Sequence, residues 1–233
     1  MKLFTDGESN AKTAKSEKSG KGYSTKLLHL APAKESGFEV CASRSKGCTM
    51  ACLYTAGRGR FDATKAARIR RTLMFFKERE AFKAQIVKEL TAFVKRCEKL
   101  DTIPAVRMNG TSDIVWEKVW PELFTLFPTI TFYDYTKHLK RCLASYQLPD
   151  NYHLTFSRSE ENDDAVLKVL NAGRINVAVV FDTKKPPISW NGFPTYSADD
   201  DDLRFLDPKG GHVATLYAKG EGKKDLSGFV VLT

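Results

Sequence analysis

Short apolar segments alternate with helical patterns along the second half of the chain, and this alternation limits the fold more than any other feature. The segment 175–181 is the plainest, because a near-continuous apolar run rich in β-branched residues is typical of a strand buried on both faces. Further strands are predicted at 27–30, 38–41, 105–108, 130–135, 152–156, 211–217 and 228–232. Strands separated by helices favour right-handed crossovers, so the chain is predicted to form a parallel α/β sheet, open or closed into a barrel.

Helices are predicted where apolar residues recur three and four positions apart. From residue 62 to residue 93 this spacing predicts two helices, or one helix broken near 77–79. Shorter helices are predicted at 114–127, through Cys142, and at 161–172. Residues 1–25 are polar and contain two nearby glycines, so we expect a flexible basic arm before a single α/β domain at 26–233.

The composition argues against membrane and secreted classes of protein. No run of eighteen apolar residues and no signal-peptide pattern is visible in the 233 residues, so we expect neither a membrane span nor membrane partners. The five cysteines are an odd number, which argues against a disulfide framework and favours a reducing compartment, the cytoplasm.

Three of the five cysteines lie within twelve residues, in the loop 41–52. Cys41, Cys48 and Cys52 follow the spacing C-x6-C-x3-C, which supplies three thiolates. A 4Fe-4S cluster held by three thiolates keeps one iron open to a small molecule, and this is the predicted metal site. Zinc is one alternative, with a fourth ligand from His138, His153, His212, Cys97 or Cys142, and free thiols without a metal are the other.

Polar residues follow several of the predicted strands, at the sheet edge where parallel α/β folds carry their chemistry. In the sequence 109–113, Asn109 or Asp113 could accept hydrogen bonds from a ligand ammonium group, while Gly110 lets the backbone approach closely. Lys137 and Arg158 suit a carboxylate or phosphate. The candidate catalytic residues are Tyr133, Lys137, Arg158 and His212.

The formal net charge of +9 leaves two interpretations open. A basic surface attracts polyanions, which makes a nucleotide or nucleic acid more plausible than an apolar ligand. The same charge is scattered over the N-terminal arm and a predicted helix, which is typical of solvated faces.

The chain resembles the bacteriophage "gene product 88" domain family over about residues 24–220. The resemblance lies in the cysteine segment with its following L-Y-x2-G-R-G, a basic helix carrying R-I-R-R-T and F-K-E-R-E-A-F, and the sequences R-M-N-G-T-S-D and F-Y-D-Y-T-K. It implies a phage protein acting in the bacterial cytoplasm, from a family without a settled activity.

A looser similarity is to radical S-adenosylmethionine enzymes, which carry C-x3-C-x2-C after the first strand of a partial barrel. It implies a partial or irregular parallel (β/α) barrel, a 4Fe-4S cluster on the three cysteines, and S-adenosylmethionine as a cofactor. The aromatic residue beside the last cysteine would be Tyr54. The Gly-Gly-Glu-like turn that holds the methionine amino group would correspond to Asn109, Gly110, Thr111, Ser112 and Asp113. Each cysteine gap is longer here, and the Gly-Gly-Glu turn is not literally present.

These observations predict a phage-encoded 4Fe-4S protein that resembles a radical S-adenosylmethionine enzyme and acts on a small molecule or nucleotide. The alternative is a nucleic-acid-binding or host-interacting phage protein, in which the cysteines hold a structural metal and there is no catalysis. Substrate and oligomeric state are not specified by the sequence.

Overall fold

The computed structural model describes residues 1–9, 14–15 and 20–233, which form two compact units. Unit 1 comprises Met1–Ala42, Phe61–Asp134 and Pro149–His153. Unit 2 comprises Ser43–Arg60, Tyr135–Leu148 and Leu154–Thr233. No helix in the described ranges is both long and apolar enough to cross a membrane.

The described residues contain ten strands and seven α-helices. The strands are β1 Phe4–Asp6, β2 Tyr23–Leu28, β3 Ile103–Arg107, β4 Thr131–Thr136, β5 Tyr152–Ser157, β6 Val177–Phe181, β7 Ser189–Trp190, β8 Phe193–Ser197, β9 Val213–Tyr217 and β10 Val230–Val231. The helices are α1 Lys46–Met50, α2 Asp62–Lys77, α3 Arg79–Lys99, α4 Trp116–Val119, α5 Glu122–Leu126, α6 Leu139–Cys142 and α7 Asp163–Ala172.

Unit 1 is built on strands that follow one another in chain order. β1 pairs antiparallel with β2, β2 pairs in parallel with β3, and β3 pairs in parallel with β4. The longest helix, α3, buries a stripe of residues spaced three and four apart, as an amphipathic helix must to cover a core. These buried residues are Phe82, Ile86, Leu90, Phe93 and Cys97.

Unit 2 is centred on β6, the predicted buried strand. β6 pairs in parallel with β5 on one side and with β9 on the other, and β8 and β7 continue beyond β9. β10 also pairs in parallel with β6, at Val180 and Phe181, which lie beyond the residues of β6 that pair with β5. Val177 and Val179 are fully buried, as expected for a strand covered on both faces.

The predicted α/β class and the parallel pairing are confirmed. In neither unit does the described run of strands close on itself, because β1 and β7 each have a neighbour on one side only. A partial barrel therefore stays a prediction.

The N-terminal boundary differs from the predicted one. Unit 1 starts at Met1 rather than near residue 26, and β1 lies inside the segment predicted as an arm. Leu3 and Phe4 are buried there, and the low average hydrophobicity of residues 1–25 conceals this pair. The rest of the predicted arm includes residues 10–13 and 16–19, which lie outside the described residues.

Two local predictions were wrong, and one hairpin was not predicted. The segment 38–41 is irregular rather than a strand, because Phe38 stacks on Phe76, at 4.3 Å between ring centroids, instead of lying in a sheet. The helix predicted at 114–127 is divided into α4 and α5, and Pro121 lies between them. The hairpin of β7 and β8 was not predicted, although Asn191 and Gly192 form its turn with positive φ.

Candidate functional site

The polar turn that follows β3 is closed internally by one buried side chain, that of Asn109. Its amide nitrogen donates to the carbonyl oxygen of Ile114 at 2.9 Å and to Oδ2 of Asp134 at 3.1 Å. Its amide oxygen accepts from Ser112 Oγ at 2.8 Å, from the Ile114 N–H at 2.9 Å and from the Trp116 indole at 3.2 Å. The amide donates two hydrogen bonds and its oxygen accepts three, so the side chain of Asn109 is fully used in holding the turn together.

The two residues after Asn109 also bind the end of β2. A Cβ on Gly110 would contact the ring of His29 and would lie 2.8 Å from the carbonyl oxygen of Leu28. The Thr111 hydroxyl donates to the carbonyl oxygen of Leu30 at 2.6 Å. Glycine is therefore required by close approach within unit 1, which explains the residue type without a bound cofactor.

Cys41 lies beside the same turn. Its Sγ is 3.8 Å from the carbonyl oxygen of Thr111, and its N–H donates to Glu39 Oε1 at 2.7 Å. The thiol is partly exposed. Asp113 donates its N–H to the carbonyl oxygen of Val40, so the residue before Cys41 is fastened to the turn as well.

Cys48 is carried by the short helix α1 in unit 2. The Ser45 hydroxyl caps this helix by accepting from the Cys48 N–H at 3.0 Å, and it donates to Glu160 Oε2 at 2.7 Å. The other oxygen of Glu160 accepts from the N–H of Gly47 at 2.6 Å. Negative charge at a helix N-terminus is stabilising, and here it anchors the cysteine-bearing segment to the loop after β5.

The environment of Cys48 places this residue at the edge of the unit 2 sheet where the parallel strand β9 ends. Cys48 packs against Ala218, Phe229 and Val230. Ala218 directly follows β9, so the side chain lies at the carboxyl end of a parallel strand.

Cys52 and Tyr54 follow in a tight 3₁₀ turn. Cys52 is partly exposed, and its carbonyl oxygen accepts from the N–H of Thr55 at 2.9 Å. Tyr54 is only 7% exposed, and a Cβ on Gly59 would lie 2.9 Å from the Tyr54 carbonyl oxygen. The predicted aromatic neighbour of the last cysteine is therefore buried.

Lys137 and Arg158 lie close together in unit 2, at the carboxyl ends of β4 and β5. Lys137 donates to the Ser157 hydroxyl at 2.7 Å, and its ammonium lies 5.7 Å from the centroid of the Phe229 ring. Arg158 binds Asp163 through two nitrogens, at 2.8 and 3.1 Å. Its third nitrogen donates to the carbonyl oxygens of Gly228 and Phe229. The Arg158 guanidinium is thus engaged on every nitrogen, which favours a positioning role.

The turn before β10 is organised by a carboxylate that stays ionised. Burial alone would raise the pKa of Asp225, but hydrogen bonds from the Ser227 hydroxyl and from backbone N–H groups, including that of Val230, hold this pKa below its usual value of 3.8. The Ser227 hydroxyl donates at 2.6 Å and the Val230 N–H at 3.0 Å. Asp225 therefore keeps β10 in register.

Tyr133 and His212 do not join the residues at these strand ends. Tyr133 lies within β4 and is fully buried. His212 precedes β9, and its Nδ1 lies 2.8 Å from the carbonyl oxygen of Lys209. The amino end of a five-residue strand is roughly 15 Å from its carboxyl end, so His212 is at the opposite edge of the unit 2 sheet from Lys137 and Arg158.

The cysteines divide into two chemical environments. None of the five forms a disulfide; Cys97 and Cys142 are buried, and the three in the predicted loop are partly exposed. Burial raises the pKa of Cys97, against the smaller opposing effects of hydrogen bonds from Thr102 and Ser24. Within the described residues, no three His, Cys, Asp or Glu side chains are grouped so as to hold a metal ion.

Glu160 is the residue that sequence reasoning missed. Its partner Gly47 is 113 residues away in the chain. Glu160 belongs to an acidic stretch with no periodic or motif signal that distinguishes it from its neighbours. Only the fold reveals that it caps the helix of Cys48.

Comparison with known proteins identifies a family. The family model described as Gene product 88 matches residues 2–232, which confirms and extends the resemblance found over residues 24–220. No curated protein and no solved structure matches the chain. The comparisons lend no support to the similarity with radical S-adenosylmethionine enzymes.

Proposed function

The chain belongs to the Gene product 88 family of phage proteins, and we propose that this member binds a 4Fe-4S cluster through Cys41, Cys48 and Cys52. The observation that carries the proposal is the separation of the cysteines into three partly exposed thiols within twelve residues and two buried ones elsewhere. Cysteines kept only for packing are usually buried, whereas metal-binding thiolates must be reachable.

The surroundings of two of these thiols support the proposal. In unit 1, Cys41 contacts Thr111, which follows the parallel strand β3. In unit 2, Cys48 packs on Ala218, which follows the parallel strand β9. Carboxyl ends of parallel strands are where α/β folds bind ligands and carry chemistry.

The donor set suits iron chemically, but the sulfurs are not yet grouped. Thiolates are the ligands of iron–sulfur clusters, and three of them leave one iron open. The described residues hold no ready-made metal group, so the proposal requires the segment 41–52 to draw the sulfurs together as the cluster assembles. Metal binding often drives local folding in this way, because the free energy of metal binding also stabilises the folded arrangement of the ligands.

An enzymatic role with S-adenosylmethionine is the finer part of the proposal. A cluster with one open iron supplies the electron that cleaves this cofactor in radical enzymes. The parallel strands β2, β3 and β4 of unit 1 lie side by side in chain order, which is also the arrangement in a partial barrel. Asn109 and Ser112 are committed to the turn itself, so the cofactor's amino group would have to meet backbone carbonyls or Asp113 instead.

The test is the iron, sulfide and zinc content, with the visible spectrum, of protein purified and reconstituted without oxygen. Wild type is compared with a variant in which Cys41, Cys48 and Cys52 are all alanine, and with Cys97→Ala as a control outside the proposed ligand set. We expect iron with a broad visible absorbance, about four irons per chain, in wild type and the control only. Iron that binds equally to the triple variant, or no iron at all, would overturn the proposal; zinc in its place would favour the structural alternative.

A nucleic-acid-binding protein is the second candidate, supported by a basic cluster in unit 2. The ammonium groups of Lys184 and Lys223 lie 5.6 and 5.3 Å from the centroid of the Tyr217 ring, at the carboxyl end of β9. With a net charge of +9, such a cluster suits a phosphate backbone. This candidate predicts DNA or RNA binding that falls steeply with salt, survives the triple cysteine variant and weakens in a variant with Lys184→Gln and Lys223→Gln.

A further inference from the structure

A groove of about 550 Å³ lies on unit 1, and none of the residues predicted to be catalytic, cofactor-binding or metal-binding lines it. Its volume falls in the range of small-molecule sites. One face of α3 forms the floor, through residues spaced three and four apart, and β1 and β2 form the wall. The helical residues of the floor are Gln85, Lys88, Glu89, Ala92, Phe93 and Arg96.

Both acidic side chains of the groove are already engaged. Asp6 binds Lys2 at 2.6 Å and Lys26 at 2.5 Å. Burial alone would raise the pKa of Asp6, but hydrogen bonds and charge from these two lysines hold it below 3.8, so it stays ionised between them. Glu89 accepts from the N–H groups of residues 3 and 4, at 2.7 and 3.0 Å.

Two further cations face the groove with little or no compensation. Lys88 is exposed and pairs with no acidic residue in the described part of the chain. Arg96 is 3.6 Å from Glu8, but both side chains are more than half exposed, so this pair contributes little. The floor of the groove therefore carries one cation without an ion pair among the described residues, Lys88, and one weakly paired cation, Arg96.

The spacing of these cations suits a ligand with several negative charges. Lys88, Ala92 and Arg96 follow one another at four-residue intervals along the exposed face of α3, and eight helical residues span about 12 Å. Ala92 keeps the floor between the two cations free of a long side chain. A single carboxylate would reach one cation only, whereas a chain of phosphates reaches both.

From this arrangement we propose that the groove of unit 1 binds the phosphate groups of a nucleotide or of a nucleic-acid strand, with Lys88 and Arg96 as the phosphate contacts. Lys26, which is nearly buried and lies 5.2 Å from the centroid of the Phe93 ring, adds positive potential at the wall. Arginine and lysine are the residues that recognise phosphate in proteins. The proposal does not rest on the iron–sulfur proposal, because no cysteine lines the groove.

Binding is measured on the full chain at low salt with two probes, inorganic triphosphate by calorimetry and a labelled single-stranded DNA oligonucleotide by fluorescence anisotropy. The test variant carries Lys88→Gln and Arg96→Gln, and the matched control carries Lys95→Gln and Lys99→Gln. Both pairs lie exposed on α3, but only the first lines the groove. We expect about a tenfold loss of affinity in the test variant, equivalent to about 1.4 kcal/mol, and less than a twofold change in the control.

A second variant separates shape from charge. Ala92→Leu keeps every charge and suits a helix, yet it fills the floor between the two cations, so it should weaken binding severalfold. Triphosphate binding that depends on the groove identifies a nucleotide-like ligand, and groove-dependent binding of the oligonucleotide alone identifies a strand; both support the proposal. It is overturned if neither probe binds, if the test and control variants lose affinity equally, or if only the Lys184 and Lys223 variant loses it.

Discussion

The turn at 109–113 in unit 1 was predicted to hold a cofactor, and the segment 45–52 in unit 2 carries two of the three predicted metal ligands, yet the two are built in opposite ways. In the turn, Asn109 makes five side-chain hydrogen bonds, all to groups within its own unit. In the segment, Cys48 and Cys52 are partly exposed, while Glu160 accepts hydrogen bonds from Ser45 and Gly47 and so holds the backbone in place. Polar residues at strand ends can therefore complete the fold or face a ligand, and their hydrogen-bond partners decide which.

The largest effect is expected from Asn109→Ala. The substitution removes the acceptor of the buried Trp116 indole and one donor to Oδ2 of Asp134, which retains the Tyr152 hydroxyl. Together with the other lost hydrogen bonds of the Asn109 amide, this costs about 3 kcal/mol. The free energy of unfolding from urea denaturation measures it. A change below about 0.5 kcal/mol would show that the turn is not held by this side chain, and the comparison would fail.

Gly110→Ala should cost less, about 2 kcal/mol, because the added methyl group would overlap His29 and the carbonyl oxygen of Leu28. Gly222→Ala is the matched control, since a Cβ there meets its nearest neighbour at an ordinary 3.4 Å. Equal unfolding free energies for the two variants would show that the end of β2 can move away from the turn.

Glu160→Gln tests how firmly the cysteine segment is held. One carboxylate oxygen accepts from the Ser45 hydroxyl and the other from the Gly47 N–H. Glutamine has a single acceptor oxygen and no charge, so one of these bonds is lost or weakened and we expect a loss of about 1 kcal/mol. Labelling of Cys48 by a thiol reagent should be faster as well, because the end of α1 would open more often. Glu161→Gln, at the exposed neighbouring position, should change neither quantity.

The smallest effect is expected from Cys48→Ala, below about 1 kcal/mol, because the thiol is partly exposed. Cys142→Ala should cost about 2 kcal/mol, since Cys142 lies in the main core cluster of unit 2. If Cys48→Ala were the more destabilising of the two in metal-free protein, the exposed thiols would be structural, and the contrast between the turn and the segment would disappear.

The strands and helices with strong periodic signals could be predicted from sequence. The apolar segment 175–181, rich in β-branched residues, contains β6. The helix break expected near 77–79 occurs at Glu78, between α2 and α3. Both signals are local, because they arise from the spacing of apolar residues within one element. The hairpin of β7 and β8 was also locally encoded, by Asn191 and Gly192.

The roles of the site residues could not be predicted in the same way. That Asn109 is saturated depends on Asp134, 25 residues further along the chain. That Arg158 is engaged depends on the carbonyl oxygen of Phe229, 71 residues further along. A residue's type shows what it can bind, and only its neighbours in space show whether that capacity is already used.

The contact of Arg158 with Gly228 and Phe229 also bears on how the chain acquires its structure during synthesis. A ribosome adding about 5 to 20 residues per second needs several seconds to make the 70 residues that separate Arg158 from Gly228. Until residue 231 has been made, β6 has no β10 beside it, and the Arg158 guanidinium lacks its carbonyl partners until Gly228 and Phe229 follow. Unit 2 can therefore be completed only after residue 231 has been translated, whereas β2 can pair with β3 while translation continues.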